Sequence, residues 1–203
     1  MLRDAIPQRR DVPVQAKYND YRDDLREDFN GRCGYCDDSD VNCDPICFHI
    51  DHFAPKSRFA ELETAYQNLV YACRFCNMRK SNHWVGTDPA TPNDGERGFI
   101  DPCGQDYDDH LERSPQGAIV SKTPLGRYIS RRLSLHLVRH QVLWNSRRAR
   151  RLRDEIDPLI ARYQQSGSPK SASYTALLER YRDLTIEIEN YEDRKSTRLN
   201  SSH

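Results

Sequence analysis

Two cysteine pairs, Cys33-Gly-Tyr-Cys36 and Cys73-Arg-Phe-Cys76, constrain this chain more than any other feature. Each pair offers two thiolates from one tight turn, and two such turns a few tens of residues apart close a tetrahedron around zinc. Four thiolates leave no open coordination position, so the metal expected here is structural. Its binding free energy, on the order of 10 kcal/mol, acts as folding free energy in a region poor in core residues. Gly34 eases the first turn. The chain has seven cysteines, and its N-terminus, MLRDAIPQRRDVPVQ, lacks the apolar stretch of a secretory signal. A disulfide framework is therefore not expected, and a cytoplasmic location is. Cys43 and Cys47 form a looser pair that reads either as ligands of a second metal or, by preference, as incidental cysteines, and Cys103 stands alone.

The chain is 203 residues long, which fits one domain or one domain with an appendage. No apolar run approaches the eighteen or so residues of a membrane span, so no membrane partner is expected. Formal net charge is zero, but the charge is segregated. Between Arg113 and Arg153 there are eleven Lys or Arg and no Asp or Glu, leaving twenty basic and thirty-one acidic residues elsewhere. An acid-free stretch of that length can attract a polyanion, or pair with the acidic remainder of the same protein.

Residues 1–30 read as a polar arm followed by a short helix, with Tyr18, Tyr21, Leu25 and Phe29 at helical spacing and Asn30-Gly31 as its stop. Residues 31–118 form the second region. Here 37–47 is an acidic loop, Phe48 to Phe53 a strand stopped by Pro55, and Ala60 to Ala65 a helical turn. Leu69 to Tyr71 is a second strand, Arg74 to Asn82 a helix, and 86–118 mostly irregular. Residues 119–194 are helical. Pro124 to Arg153 reads as one long helix with Ile129, Leu133, Leu137, Val138 and Trp144 on one side. Pro158 is expected to interrupt or restart it, and Tyr174 to Tyr191 marks a second amphipathic helix. These helices suit packing on each other, on DNA or on a partner protein. Residues 195–203 have no apolar period and read as a non-native tail.

Between the cysteine pairs lies His49-Ile-Asp51-His52-Phe-Ala-Pro55-Lys56-Ser57. Fifteen residues separate His52 from Asn68, and eight separate Asn68 from Asn77. Strand, loop, strand and helix can gather these side chains around one point. A neutral His is a good proton acceptor near pH 7, and a divalent metal polarises a phosphate and stabilises a departing oxygen. The Asp51 carboxylate and the Asn77 amide oxygen suit Mg²⁺ or Mn²⁺. Asn68 can hydrogen-bond the loop backbone or His52. Lys80, Arg79 and Arg58 are candidates for flanking phosphates. His49, on the strand face of Asp51, reads either as a supporting or as a packed histidine.

Over residues 33–82, Cys-x2-Cys followed by IDHFAPKSRF and NLVYACRFCNMRKSN resembles the HNH (ββα-metal) endonuclease family. The resemblance implies an α+β fold: a small zinc-stabilised ββα-metal core with mainly helical N- and C-terminal flanks. It implies that His52 is the general base, Asn68 the motif's middle Asn, and Asp51 and Asn77 the ligands of a catalytic Mg²⁺ or Mn²⁺. Cys33, Cys36, Cys73 and Cys76 match the family's structural zinc site. The motif's final His is Asn77 here, and loss of that imidazole is expected to move metal preference from Zn²⁺ and Ni²⁺ towards Mg²⁺ or Mn²⁺. Beyond residue 82, GFIDPCGQDYDDHL and the turn at Gln116-Gly117 look like HNH proteins that accompany ATPases in Septu-type and retron anti-phage systems. That likeness implies DNA as substrate and an ATPase subunit docked through the C-terminal helices. The alternative is a zinc-stabilised nucleic-acid-binding module without cleavage.

Overall fold

The computed structural model describes residues 1–41, 47–165 and 171–199, with side chains described as far as residue 193. Cys43 and residues 200–203 of the expected tail lie outside the described residues. The architecture is α+β, with helices and two small antiparallel strand pairs. The chain divides into two compact units, Met1–Leu137 and Val138–His203.

In the first unit a single 3-10 turn, Tyr18–Tyr21, leads into α1 (Arg22–Asp28). Helix α1 ends as its Asn30-Gly31 signal predicts: both residues have positive φ. Gly31 N–H donates to Arg26 O at 2.7 Å and Asn30 N–H to Glu27 O at 2.9 Å, the paired bonds of a Schellman stop. Strands β1 (Phe48–His52) and β2 (Leu69–Cys73) pair antiparallel, with Asp51 opposite Val70 and His52 opposite Leu69. Every residue of β2 is buried, which is why it reads as an unbroken apolar run. Helix α2 (Arg74–Lys80) follows at once and packs on this hairpin. Its N-cap is Cys73, whose sulfur accepts from Cys76 N–H at 3.5 Å. Gly34 matters for approach: a Cβ there would lie 2.8 Å from the Phe29 ring and 3.0 Å from Val70. Without one, Gly34 N–H reaches Tyr71 O at 2.9 Å and ties the first cysteine turn to β2.

Two expectations need correction in this unit. Residues 1–16 are not a free arm. Leu2 is buried, and Arg3 pairs with Asp108 at 3.0 Å and stacks over Tyr107. Arg9 donates to Leu69 O and chelates Asp101. Arginine anchors hold this strap, so no apolar period announces it. Residues 86–118 are mostly irregular, as expected. They hold α3 (Tyr107–His110) and β3 (Leu111–Arg113), which pairs with β4 (Ile119–Ser121) across a turn with Gly117 at φ +89°.

The second correction concerns the long helix expected over 124–153. Helix α4 (Pro124–Arg132) starts at Thr123, whose hydroxyl accepts from Gly126 N–H, and stops at Leu133. Ser134 adopts φ +55°, Leu135 N–H bonds Ser130 O and Ser134 N–H bonds Arg131 O. This is the same Schellman stop, and it turns Leu133 and Leu135 fully into the core.

The second unit is a pair of helices, α5 (Val138–Gln165) and α6 (Ala172–Leu199). Ala149, Leu184 and Ile188 form its core, with Leu152 and Ile156 packed against them. Arg150 pairs with Glu192 across the two helices. Pro158 lies inside α5 and does not end it. Pro158 and Asp154, whose carbonyl it leaves without a helical partner, are both exposed, so water can take that bond. The backbone of α6 continues through 195–199, although that segment has no apolar period. No helix among the described residues is long and apolar enough to cross a membrane.

Candidate metal centres and nuclease site

The four paired cysteines are buried, and their sulfurs all lie within 4.8 Å of one another. The Cys36 and Cys73 sulfurs are 3.8 Å apart. A tetrahedral zinc with Zn–S bonds of about 2.3 Å sets sulfurs about 3.8 Å apart, so this cluster fits the ion. Hydrogen bonds from the three neighbouring thiols hold the Cys73 thiol well below its usual range, while hydrogen bonding within the cluster and burial push Cys36 and Cys76 up. The cluster by itself accommodates little negative charge, and a dication is what lets all four sulfurs ionise together. Cys47 is partly buried against the core and stands outside this cluster.

Strand alternation sends Asp51 and His52 to opposite sides of β1, and their partners differ accordingly. On the α2 side, Asp51 is 5% exposed and its Oδ2 accepts from the Tyr35 hydroxyl at 2.5 Å and from Lys80 Nζ at 3.1 Å. Burial raises the Asp51 carboxyl above its ordinary range, and Lys80 and Tyr35 pull it back. One helical turn earlier, Asn77 Nδ2 donates to His49 Nδ1 at 2.9 Å. Lys80 is fully buried and also donates to His52 O at 2.7 Å. The expectation that Lys80 grips a flanking phosphate is therefore corrected: its ammonium neutralises Asp51 and ties α2 to β1.

On the other side, His52 Nε2 lies 2.8 Å from Glu63 O. A carbonyl only accepts, so Nε2 carries the proton and Nδ1 keeps its lone pair. Burial lowers the His52 pKa below its ordinary value, against the opposing pull of the Glu63 carbonyl. The ring meets Tyr18 edge-on, with centroids 4.8 Å apart. Asn68 is buried and spans the loop: its Oδ1 accepts from Ala54 N–H at 2.8 Å, and its Nδ2 donates to Ala54 O at 3.0 Å and Leu62 O at 3.3 Å. It orients the loop backbone, one of its two expected roles, and the Glu63 carbonyl orients the imidazole. Arg58 donates to Trp84 O and Gly86 O, so its guanidinium ties a loop. Arg79 is exposed over the Phe75 ring. Burial, then repulsion from Arg79, lowers the Arg132 pKa.

The residues expected at one point are thus gathered along β1 on two sides of it. Sequence reasoning missed Tyr35, Tyr18 and Glu63. A main-chain carbonyl leaves no signature in the side chains, Tyr18 reads from sequence only as part of a helical period, and Tyr35 only as a residue between two cysteines.

Residues 33–83 match the model of the HNH endonuclease family. The HNH match takes in both cysteine pairs, β1, β2 and α2, together with Asp51, His52, Asn68 and Asn77. Over 119 residues the chain is 27% identical to the Septu protein PtuB of Bacillus mycoides (strain KBAB4), covering 48% of this chain and 40% of that relative. The chain thus spans under half the length of the curated relative it matches. No solved structure gives a significant match.

Proposed function

We propose that this chain is a divalent-metal-dependent endonuclease that hydrolyses phosphodiester bonds in DNA, acting as the nuclease of an anti-phage defence system with an ATPase partner. The observation that carries the reading is the clamp on His52. A proton fixed on Nε2 by the Glu63 carbonyl leaves Nδ1 as the base, and a depressed pKa keeps the ring neutral near pH 7. His52 then takes a proton from the attacking water. Asn68 holds the loop that carries Glu63, and so holds the clamp. Asp51 and Asn77 are the oxygen donors for Mg²⁺ or Mn²⁺. The Asp51 carboxylate has about four lone-pair directions, more than Tyr35 and Lys80 engage. When bound, such a cation supplies electrophilic stabilisation of the phosphate and of the departing 3′ oxygen. Arg79, exposed on α2, offers positive charge for the strand backbone. The scissile phosphate lies across the end of β1, reaching the base on one side and the oxygen donors on the other. The Septu relative motivates the defence role and the ATPase partner.

Engagement of Asp51 by Lys80 and Tyr35 favours a second reading, a zinc-clamped DNA binder without cleavage. A plasmid-nicking assay with Mg²⁺ or Mn²⁺ separates the two. The nuclease reading expects nicking by the parent and a loss of about 10²–10⁴-fold in His52→Ala. Nicking by the variant at the parent's rate removes His52 from its role. Absence of nicking by the parent, with DNA binding intact, selects the binder.

A further inference from the structure

Lys56 follows His52 by four residues and leaves the strand beyond Pro55. Its ammonium sits 4.5 Å from the centroid of the Tyr18 ring, and it pairs with Glu63 Oε1 at 2.6 Å. These are the two residues that also hold His52: Tyr18 meets its ring edge-on, and the Glu63 carbonyl accepts from Nε2. Two shared neighbours therefore fix an ammonium beside the imidazole. Tyr18 lies outside the matched segment 33–83 and reaches the site from the turn that precedes α1.

We infer that Lys56, shelved on Tyr18 and tethered by Glu63, binds a backbone phosphate of the nucleic acid beside His52, and that the phosphate displaces the Glu63 carboxylate. The inference rests on the nuclease reading for its catalytic consequence. The Lys56 and Glu63 side chains are 44% and 45% exposed. Pairs so exposed are weak and exchange readily, and a phosphate is a stronger, charge-assisted partner for an ammonium than a solvated carboxylate is. The Tyr18 ring offers its face to the cation through the exchange and limits how far Lys56 can swing. Tyr18 is thus a positioning residue, and Glu63 has two separable roles. Its main chain sets the tautomer of His52, and its side chain holds Lys56 until substrate arrives. Buried Lys80 cannot perform this task, and Arg58 is engaged by two carbonyls.

The test is binding of a fluorescent duplex DNA oligonucleotide, without added Mg²⁺ or Mn²⁺, at several salt concentrations, with nicking rates measured in parallel. Lys56→Gln is expected to weaken binding about tenfold and to lower the slope of log Kd against log salt by about one. Glu63→Gln keeps the main-chain carbonyl and frees the ammonium, so it is expected to bind about threefold tighter. Tyr18→Leu is expected to follow Lys56→Gln in direction, and Tyr18→Phe, which keeps the ring, to retain more binding than Tyr18→Leu. The Lys56 and Glu63 side chains are exposed, so thermal melting of Lys56→Gln and Glu63→Gln should match the parent, while Tyr18 packs partly buried against the core and its variants are compared at matched folded fraction. Loss of nicking in His52→Ala with parental binding and salt slope in Lys56→Gln overturns this inference alone. Absence of nicking by the parent, with opposite binding shifts in Lys56→Gln and Glu63→Gln, overturns the nuclease reading alone. Weaker binding by Glu63→Gln overturns the displacement step.

Discussion

Strand β1 separates two regions that use similar residues differently. On the side covered by α2, Asp51, Lys80 and Tyr35 are buried and answer one another, and the cysteine cluster closes the start of the same helix. On the side of His52, the Lys56 and Glu63 side chains remain nearly half exposed. A lysine pairs with a carboxylate on each side, yet one ammonium is fully buried and the other is 44% exposed. Burial decides which pair can exchange its partner for a ligand. A buried pair broken by removal of one member leaves an unanswered charge in a low dielectric, whereas an exposed pair is replaced by water at small cost. On the proposed reading the α2 side holds the scaffold and the metal donors, and the side of Lys56 offers a charge pair that a phosphate can replace.

The largest expected effect comes from removing the ion that clamps the α2 side. The purified protein is expected to carry one zinc per chain by elemental analysis. A strong chelator, or Cys73→Ser, should remove stability on the order of 10 kcal/mol and abolish the cooperative melting of the first unit. Retention of that transition in a metal-free sample would falsify the structural role of the cluster. Next in size is Lys80→Met, which leaves the Asp51 carboxylate buried without its cation. A loss of about 3–5 kcal/mol is expected by chemical denaturation, and the double variant Asp51→Asn/Lys80→Met should recover part of it. A small loss in Lys80→Met, combined with a lower salt slope for DNA binding, would return Lys80 to the phosphate-gripping role and undo the contrast between the two lysines.

Asn68→Ala acts on the other side of β1. It strips a partner from the buried Ala54 N–H and releases two carbonyl contacts. A cost of about 1–3 kcal/mol is expected, with nicking slowed about tenfold because the loop carrying the Glu63 carbonyl loosens. Nicking at the parental rate in a measurably destabilised variant would separate the loop from the His52 clamp.

What the sequence reveals follows from how narrow the underlying chemistry is. Four cysteines in two close pairs have few uses, and their cluster is found as expected. The Schellman stops make the opposite point. Helices α1 and α4 end with the same two hydrogen bonds. Asn30-Gly31 announces the first, because both residues tolerate positive φ, while Ser134 at φ +55° is an unusual occupant and hides the second. The hairpin of β3 and β4 is too short to show a period, and only its glycine turn was visible. Lys80 misleads because a lysine is ordinarily exposed, and its burial depends on meeting Asp51 from a different element. The candidate site was legible in its residue types and spacing. Its division across β1 was not, because it depends on what Tyr18, Tyr35 and Glu63 contribute from elsewhere in the chain.

The smallest expected effect tests whether the open side of β1 binds DNA through every cation it displays. Arg58 and Lys56 are two residues apart, and both are exposed in the same loop. Lys56 has an exposed carboxylate as partner, which a phosphate can replace. Arg58 has the carbonyls of Trp84 and Gly86, at 3.0 Å each, which tie the loop that follows α2. If partner type decides role, Arg58→Ala costs about 1 kcal/mol of stability through lost carbonyl bonds and leaves the salt slope of DNA binding at the parental value. Lys56→Gln shows the reverse, with stability unchanged and the slope reduced. Equal slopes for the two variants, both below the parent, would mean that Arg58 abandons its carbonyls for the strand. The side of His52 would then act as a general basic surface in place of a single built phosphate position.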